Sequence, residues 1–229
     1  QELFGGKLGS KVTCKACKSV TEVDESFLDL SLAIPPANED SLLKKFRRLR
    51  TDEEAGDEDD DLNLRDLIQF WARPAQLEAE NSFACENCPK VHPNEHDGDQ
   101  PKFIYRPATQ QFFLKDLPRH LIIHLQRFAV SSVGKRGIRL SKDHTHVSIP
   151  ETLDLNQFCS QHNPDQTKGS YRLTALVMHE GSSVDSGHYV SAVRYDPSKG
   201  IWWYASDTLV RQLPSISGLN PYLLFYTRI

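Results

Sequence analysis

Apolar and polar residues along this chain alternate in short runs far more often than they recur at helical spacing. Lys11-Val12-Thr13 and Phe27-Leu28-Asp29-Leu30-Ser31-Leu32 alternate on either side of a cysteine pair, and the second run ends before Pro35-Pro36. A period of two puts alternate side chains on one buried face, so both runs read as strands. The same reading applies to Gln110–Leu114, His120–Phe128, Tyr171–His179, His188–Arg194, Ile201–Tyr204 and Tyr222–Arg228, with Gly, Pro and Ser clusters between them. One segment differs. Leu64, Leu67, Ile68 and Trp71 recur at helical spacing, which predicts a helix within 62–72, with Asn63 as N-cap and Pro74 as stop. Many strands with few helices predict an α+β fold that is mostly antiparallel β. No internal repeat is evident.

Between the first strands and the helix the pattern collapses. Residues 37–61 carry Lys44, Lys45, Arg47, Arg48 and Arg50, then an acidic run from Asp52 to Asp61 broken only by Ala55 and Gly56. A block of like charge cannot bury itself, so this insert is expected to be a disordered, solvated loop. The plain reading is a tolerated insertion; the sharper ones are a nuclear-import patch or a histone-facing acidic arm.

The bulk numbers set limits on function. The 229 residues are enough for a substantial core, and 38% hydrophobic with 25% charged residues describes a globular chain. No apolar run approaches the roughly 18–20 residues of a membrane span, so no membrane partner is expected. The net charge of −4 gives no general pull toward nucleic acid. Gln1-Glu2-Leu3-Phe4 is not a signal peptide, and the single Met is Met178, so the chain is expected to be a fragment or processed product.

Four of the five cysteines form two Cys-x-x-Cys pairs, Cys14/Cys17 and Cys85/Cys88. Without an export signal, metal binding is favoured over a disulfide framework. Two such turns facing each other offer four sulfurs in a tetrahedron, a closed set that suits structural rather than catalytic Zn2+. The alternative is a set of buried thiols without metal. The long stretch from Lys18 to Ala84 must then lie between the two knuckles. Cys159, beside Leu153, Leu155 and Phe158, is expected to be a core thiol.

The run from Tyr171 to Gly181, continuing through Ser186-Gly187-His188-Tyr189, places an imidazole at the start of a strand beside a short polar loop. That is where a cysteine protease needs a base. Downstream, Trp203-Tyr204-Ala205-Ser206-Asp207 supplies polar groups at a strand end, one of which could orient the imidazole.

Several motifs, in order, resemble the ubiquitin-specific protease family. They are the run from His179 to Tyr189, the box at Trp203–Val210, and the closing Tyr222-Leu223-Leu224-Phe225-Tyr226. Leu117-Pro118 through Arg127-Phe128, Val147-Ser148-Ile149-Pro150 through Leu155 and the two Cys-x-x-Cys pairs belong to the same pattern. Leu3–Leu8, Glu25–Leu32 and Pro150–Leu155 further resemble the branch that contains ubiquitin carboxyl-terminal hydrolase 16. That branch has Ser where most of the family has Asp or Asn, here Ser206.

The resemblance implies a papain-like fold reduced to fingers and palm, without the N-terminal thumb. Residues 1–36 and 75–115 would form the zinc-bearing fingers and 116–229 the palm with its histidine box. It implies thiol-dependent hydrolysis of isopeptide bonds at the C-terminal Gly of ubiquitin, with ubiquitin and ubiquitinated proteins as partners. His188 would be the base, Ser206 its orienting group, and Asp207 a source of negative field. Loops 129–138 and 181–187 would be gates over the ubiquitin tail. No Asn-x-Gly-Asn-x-Cys segment is recognisable, so the nucleophile is expected from outside this stretch. An intracellular setting, nucleus or cytoplasm, follows. Two rivals stay open. One is an inactive ubiquitin-binding pseudoenzyme. The other is a zinc-ribbon nucleic-acid binder, against which stands the lack of a basic aromatic face.

Overall fold

The structure, a computed structural model, describes residues 3–35, 62–92, 101–134, 137–160, 169–181, 186–196 and 200–229. The charged insert at 37–61, read above as disordered, lies outside the described residues.

Two main sheets meet at a helix. Strands β1 (Gly6–Cys14), β2 (Val20–Phe27), β4 (Ala75–Leu77) and β7 (Ala108–Asp116) make a four-stranded sheet in the order β2-β1-β7-β4. An eight-stranded sheet runs β15-β14-β13-β12-β16-β8-β3, with β11 paired to β12. Its members are β3 (Asp29–Ala33), β8 (His120–Gln126), β11 (Thr152–Asp154), β12 (Ser170–Glu180), β13 (His188–Asp196), β14 (Ile201–Ser206), β15 (Leu209–Leu213) and β16 (Leu223–Arg228). Antiparallel pairing dominates, as the alternation predicts, but β3 pairs with β8 in parallel.

Helix α1 (Leu64–Ala72) has the expected cap. Asn63 Oδ1 accepts from the Asp66 amide, and the Asp66 carboxylate accepts from the Asn63 amide, closing a capping box. Its buried Leu64, Leu67 and Ile68 join Leu121, Ile123, Leu125, Leu173, Leu176 and Leu224 in one apolar core. Each such side chain withdrawn from water stabilises by roughly 1.5–3 kcal/mol before entropy is charged against it. Backbone bonds between Leu62, Leu64 and Ser148 fix the helix start to the segment before β11.

Three strand readings need correction. The run Phe27–Leu32 is two strands in two different sheets: Phe27 closes β2, Leu28 is 61% exposed, and β3 begins at Asp29. His120–Phe128 also breaks, because Arg127 leaves the strand to bury its guanidinium among backbone carbonyls. Of the stretch read as a gating loop, residues 129–134 and 137–138 are strand rather than loop, lying in a hairpin of β9 (Phe128–Gly134) and β10 (Gly137–Lys142). Ladder hydrogen bonds satisfy its backbone, which an irregular loop would leave to water. Of the other gating loop, 181–187, residues 182–185 lie outside the described residues.

Candidate active site and metal centre

Strands β13 and β14 pair outward as far as Ser191 opposite Ala205, and no further. Beyond that last pair lie His188, the first residue of β13, and Ser206, the last of β14. Past the end of that ladder, their side chains meet: His188 Nε2 lies 2.9 Å from Ser206 Oγ. The chain then turns sharply at Asp207, whose φ of 48° is in the left-handed region that Asp tolerates better than most residues. The turn sets Asp207 Oδ2 at 3.6 Å from the same nitrogen. All three residues singled out from the sequence therefore come together. An ionised carboxylate only accepts, so Asp207 favours a proton on Nε2 and leaves the Nδ1 lone pair as the basic site. The imidazole side chain is 44% exposed, open to a reacting partner.

A second layer, missed in the sequence, surrounds this site. Glu180 stands opposite His188 across β12–β13, and Tyr204 Oη donates to its carboxylate at 3.2 Å. His179 is packed between Phe128 and Tyr189, with ring centroids at 5.4 and 4.9 Å. Burial lowers the His179 imidazole from its ordinary value and the nearby Lys142 ammonium lowers it further, so it stays neutral. Gly187 has to be glycine: a Cβ there would fall 2.2 Å from His179 Nε2. The signal for this layer was present, since His179 and Glu180 lie inside the quoted motif, but their packing against Phe128 and Tyr204 is tertiary.

The two cysteine pairs also converge. Cys14 ends β1 and Cys17 follows in a turn, where Lys18 at φ 60° closes the knuckle. Cys85 ends β5 (Phe83–Cys85), which pairs with β6 (Ile104–Arg106), and Cys88 opens the one-turn helix α2 (Cys88–Val91). The Cys14–Cys88 and Cys17–Cys85 sulfur pairs are each 3.6 Å apart, and all four sulfurs lie within 4.8 Å of one another. A tetrahedral site with metal–sulfur bonds of about 2.3 Å has sulfur–sulfur edges of about 3.8 Å, so the set fits a metal such as zinc. Burial pushes the Cys88 thiol up to about 12, with the neighbouring sulfurs adding to the shift. Burial also pushes Cys17 up, but hydrogen bonds from Ser19 and Asn87 outweigh it and bring that thiol down to about 5. The cluster thus already favours one thiolate, the protonation state a metal needs. Cys159, by contrast, packs against the main core, and its thiol donates to the Leu155 carbonyl at 3.4 Å.

A mostly antiparallel sheet with an imidazole–hydroxyl pair on its rim is thus joined to a four-cysteine tip. The sequence model of the ubiquitin carboxyl-terminal hydrolase family matches residues 1–226, and the chain belongs to that family. Human ubiquitin carboxyl-terminal hydrolase 42 is 28% identical over 229 residues, covering 99% of this chain and 14% of that protein. Ubiquitin carboxyl-terminal hydrolase 16 of Danio rerio is 32% identical over 188 residues, covering 71% of this chain and 22% of that protein. The chain thus spans a minor part of these relatives' own length. A chain in the solved structure of the SAGA Ubp8/Sgf11/Sus1/Sgf73 DUB module bound to ubiquitin aldehyde shares the fold. Its TM-score is 0.68 at 23% identity, and the match covers 99% of this chain and 41% of that one. Among the described residues no helix is long and apolar enough to cross a membrane.

Proposed function

We propose that this chain carries the base half of a deubiquitinase active site and acts in hydrolysis of the isopeptide bond at the C-terminal Gly of ubiquitin. The observation that carries the reading is the 2.9 Å contact between His188 Nε2 and Ser206 Oγ, which leaves Nδ1 to work. A thiol from a segment outside these residues loses its proton to Nδ1 and attacks the Gly carbonyl carbon. As the carbon–nitrogen bond breaks, the protonated imidazole returns that proton to the leaving amine. Water, deprotonated by His188, then splits the thioester. Ser206 holds the ring, and the Asp207 carboxylate favours both the Nε2-protonated tautomer and the imidazolium that forms.

Cys14, Cys17, Cys85 and Cys88 hold structural zinc in this reading, because their four sulfurs fill the positions of a tetrahedral metal. An intracellular setting suits it, because reduced cysteines are what a metal site requires. The test is a ubiquitin substrate with a fluorogenic C-terminal leaving group, incubated with the chain joined to its upstream catalytic segment. Turnover lost in His188→Ala with ubiquitin binding retained supports the reading. Turnover that survives His188→Ala overturns it. Ubiquitin binding without turnover in the unaltered protein would instead establish the pseudoenzyme.

A further inference from the structure

The β9–β10 hairpin and the histidine loop are joined by one side chain. Lys142, the last residue of β10, donates from Nζ to the carbonyl of His179 at 2.6 Å and to that of Gly181 at 2.7 Å. These carbonyls flank Glu180, the residue paired with His188 at the end of the β12–β13 ladder. An ammonium has three donors and no acceptor, so it can tie two carbonyls together in a way no neutral aliphatic chain can. Gly181, at φ 126°, is where the chain leaves β12, and the Lys142 ammonium is the donor that meets its carbonyl there.

The same strand end is gripped from three more sides. Lys142 is opposite Phe128 in the hairpin, and the Phe128 ring meets His179 edge-on. Asp143, next in sequence, donates its amide to the Arg127 carbonyl, and Arg127 Nη1 donates back to the Asp143 and Thr145 carbonyls. Gly187 packs directly on the His179 ring and the Glu180 carbonyl. The base of the hairpin is therefore fixed, and Lys142 transmits that position to the two residues that bracket His188 in the sheet.

We infer that Lys142 is a positioning residue, coupling the β9–β10 hairpin to the orientation of His188 through the His179 and Gly181 carbonyls. The inference rests on the reading of His188 as the base. It predicts that whatever displaces the hairpin loosens the His188–Ser206 contact, so that an occupant of the cleft beside Phe128 is sensed at the base. A cavity of about 290 Å3 lined by Arg127, Phe128, Lys142, His179 and Tyr222 lies at this junction.

The test uses the zinc-loaded chain and three variants: Lys142→Met, which keeps length but has no donor, Lys142→Arg, which keeps charge and donors, and Ser206→Ala. Two readouts are taken by NMR: amide exchange at Glu180 and His188, and the imidazole nitrogen shifts of His188, which report its tautomer. In Lys142→Met, exchange at Glu180 and His188 should rise roughly tenfold while Leu176 and Ala192 stay protected, as for local opening. The His188 tautomer should become mixed, and Lys142→Arg should restore both. Unchanged exchange in Lys142→Met overturns the clamp. Faster exchange with an unchanged tautomer overturns the coupling to His188. Loss of protection across the whole sheet would show Lys142 to be merely structural and overturn the positioning role. Ser206→Ala separates the premise from the inference: if it leaves the His188 nitrogen shifts as they were, the reading of Ser206 as the group that holds the ring fails, while the exchange data still decide the clamp.

Discussion

Removing the zinc proposed for the four cysteines should melt the tip that carries them and spare the main core. The tip around Cys14, Cys85 and Cys88 is a small core of its own, with Cys17, Phe83 and Ile104 packed around it and separate from the main apolar cluster. Its backbone frame is a two-stranded sheet of three residue pairs and a four-residue helix, which is too little to stand alone in water. Structural zinc in finger peptides contributes apparent binding energies of about 10–16 kcal/mol at neutral pH. Even with free zinc only about a hundredfold above Kd, mass action stabilises the tip by roughly 2.7 kcal/mol. That difference is about two decades in the population of the open state. Amides of Cys85, Cys88 and His92 should therefore exchange about a hundredfold faster after chelation, while those of Ile123, Leu176 and Leu224 keep their protection. Elemental analysis before and after chelation gives the metal content. A tip that stays protected in metal-free protein would refute the reasoning, because the sulfurs would then be holding the tip by packing alone. Metal affinity should also weaken as the pH falls, since the Cys88 thiol, raised to about 12, has to shed a proton to bind.

The other expectations follow from named contacts. In the protein joined to its upstream segment, His188→Ala should lower kcat by about 10²–10⁴-fold, and Ser206→Ala should cost less because water can replace an orienting hydroxyl. If Asp207→Ala proved more damaging than Ser206→Ala, the orienting role would belong to Asp207. Asn63→Ala should cost about 1 kcal/mol in a urea melt by opening the capping box with Asp66, and a change near zero would show the cap to be redundant. His179 is held neutral when folded, so the unfolded chain binds the extra proton below the usual value of 6.5. Stability should hold above that pH, fall as the pH drops through it and level off below the folded value. His179→Gln should flatten that slope in urea melts run across the range, and an unaltered slope would assign it to other groups.

Much of this was legible in the chain, and the exceptions share a cause. Helix α1 could be read from Asn63 and the Leu64, Leu67, Ile68 spacing, because capping and amphipathicity are local. The metal cluster could be read because each knuckle carries its own two ligands. The break at Leu28 could not: Leu28-Asp29-Leu30-Ser31-Leu32 alternates in one phase without Gly or Pro, and only the pairing partners show that Phe27 and Asp29 belong to two sheets. Strand β15 was missed because four of its five residues are exposed at the sheet edge, where burial leaves no pattern. The hairpin had turn signals in Gly134 and Gly137, which the reading as a loop left unused. Lys142 looks like any surface lysine, and its partners are carbonyls whose positions depend on a different strand.

The site's location follows from where the ladder stops. Had the β13–β14 ladder run three pairs further, Ser206 would have faced Val190 and His188 would have faced Thr208, each held from both sides rather than one. Pairing ends at Ser191 opposite Ala205, and the Asp207 turn brings the chain back for β15. Held by one partner strand each, the imidazole and the hydroxyl meet across the open end of that ladder, and the second ring nitrogen lies outside the contact. Alone, such a rim would not hold a ring to the few tenths of an ångström that proton transfer requires. The restraint comes from behind: Val190, Ala192 and Trp202 are buried in the main core within a few residues of the reacting groups. On the other flank, β12 carries His179 and Glu180 into the Lys142 clamp. Rigid sheet, short free rim and a clamped neighbouring strand are separate requirements, and each can be broken by a substitution that leaves the other two intact.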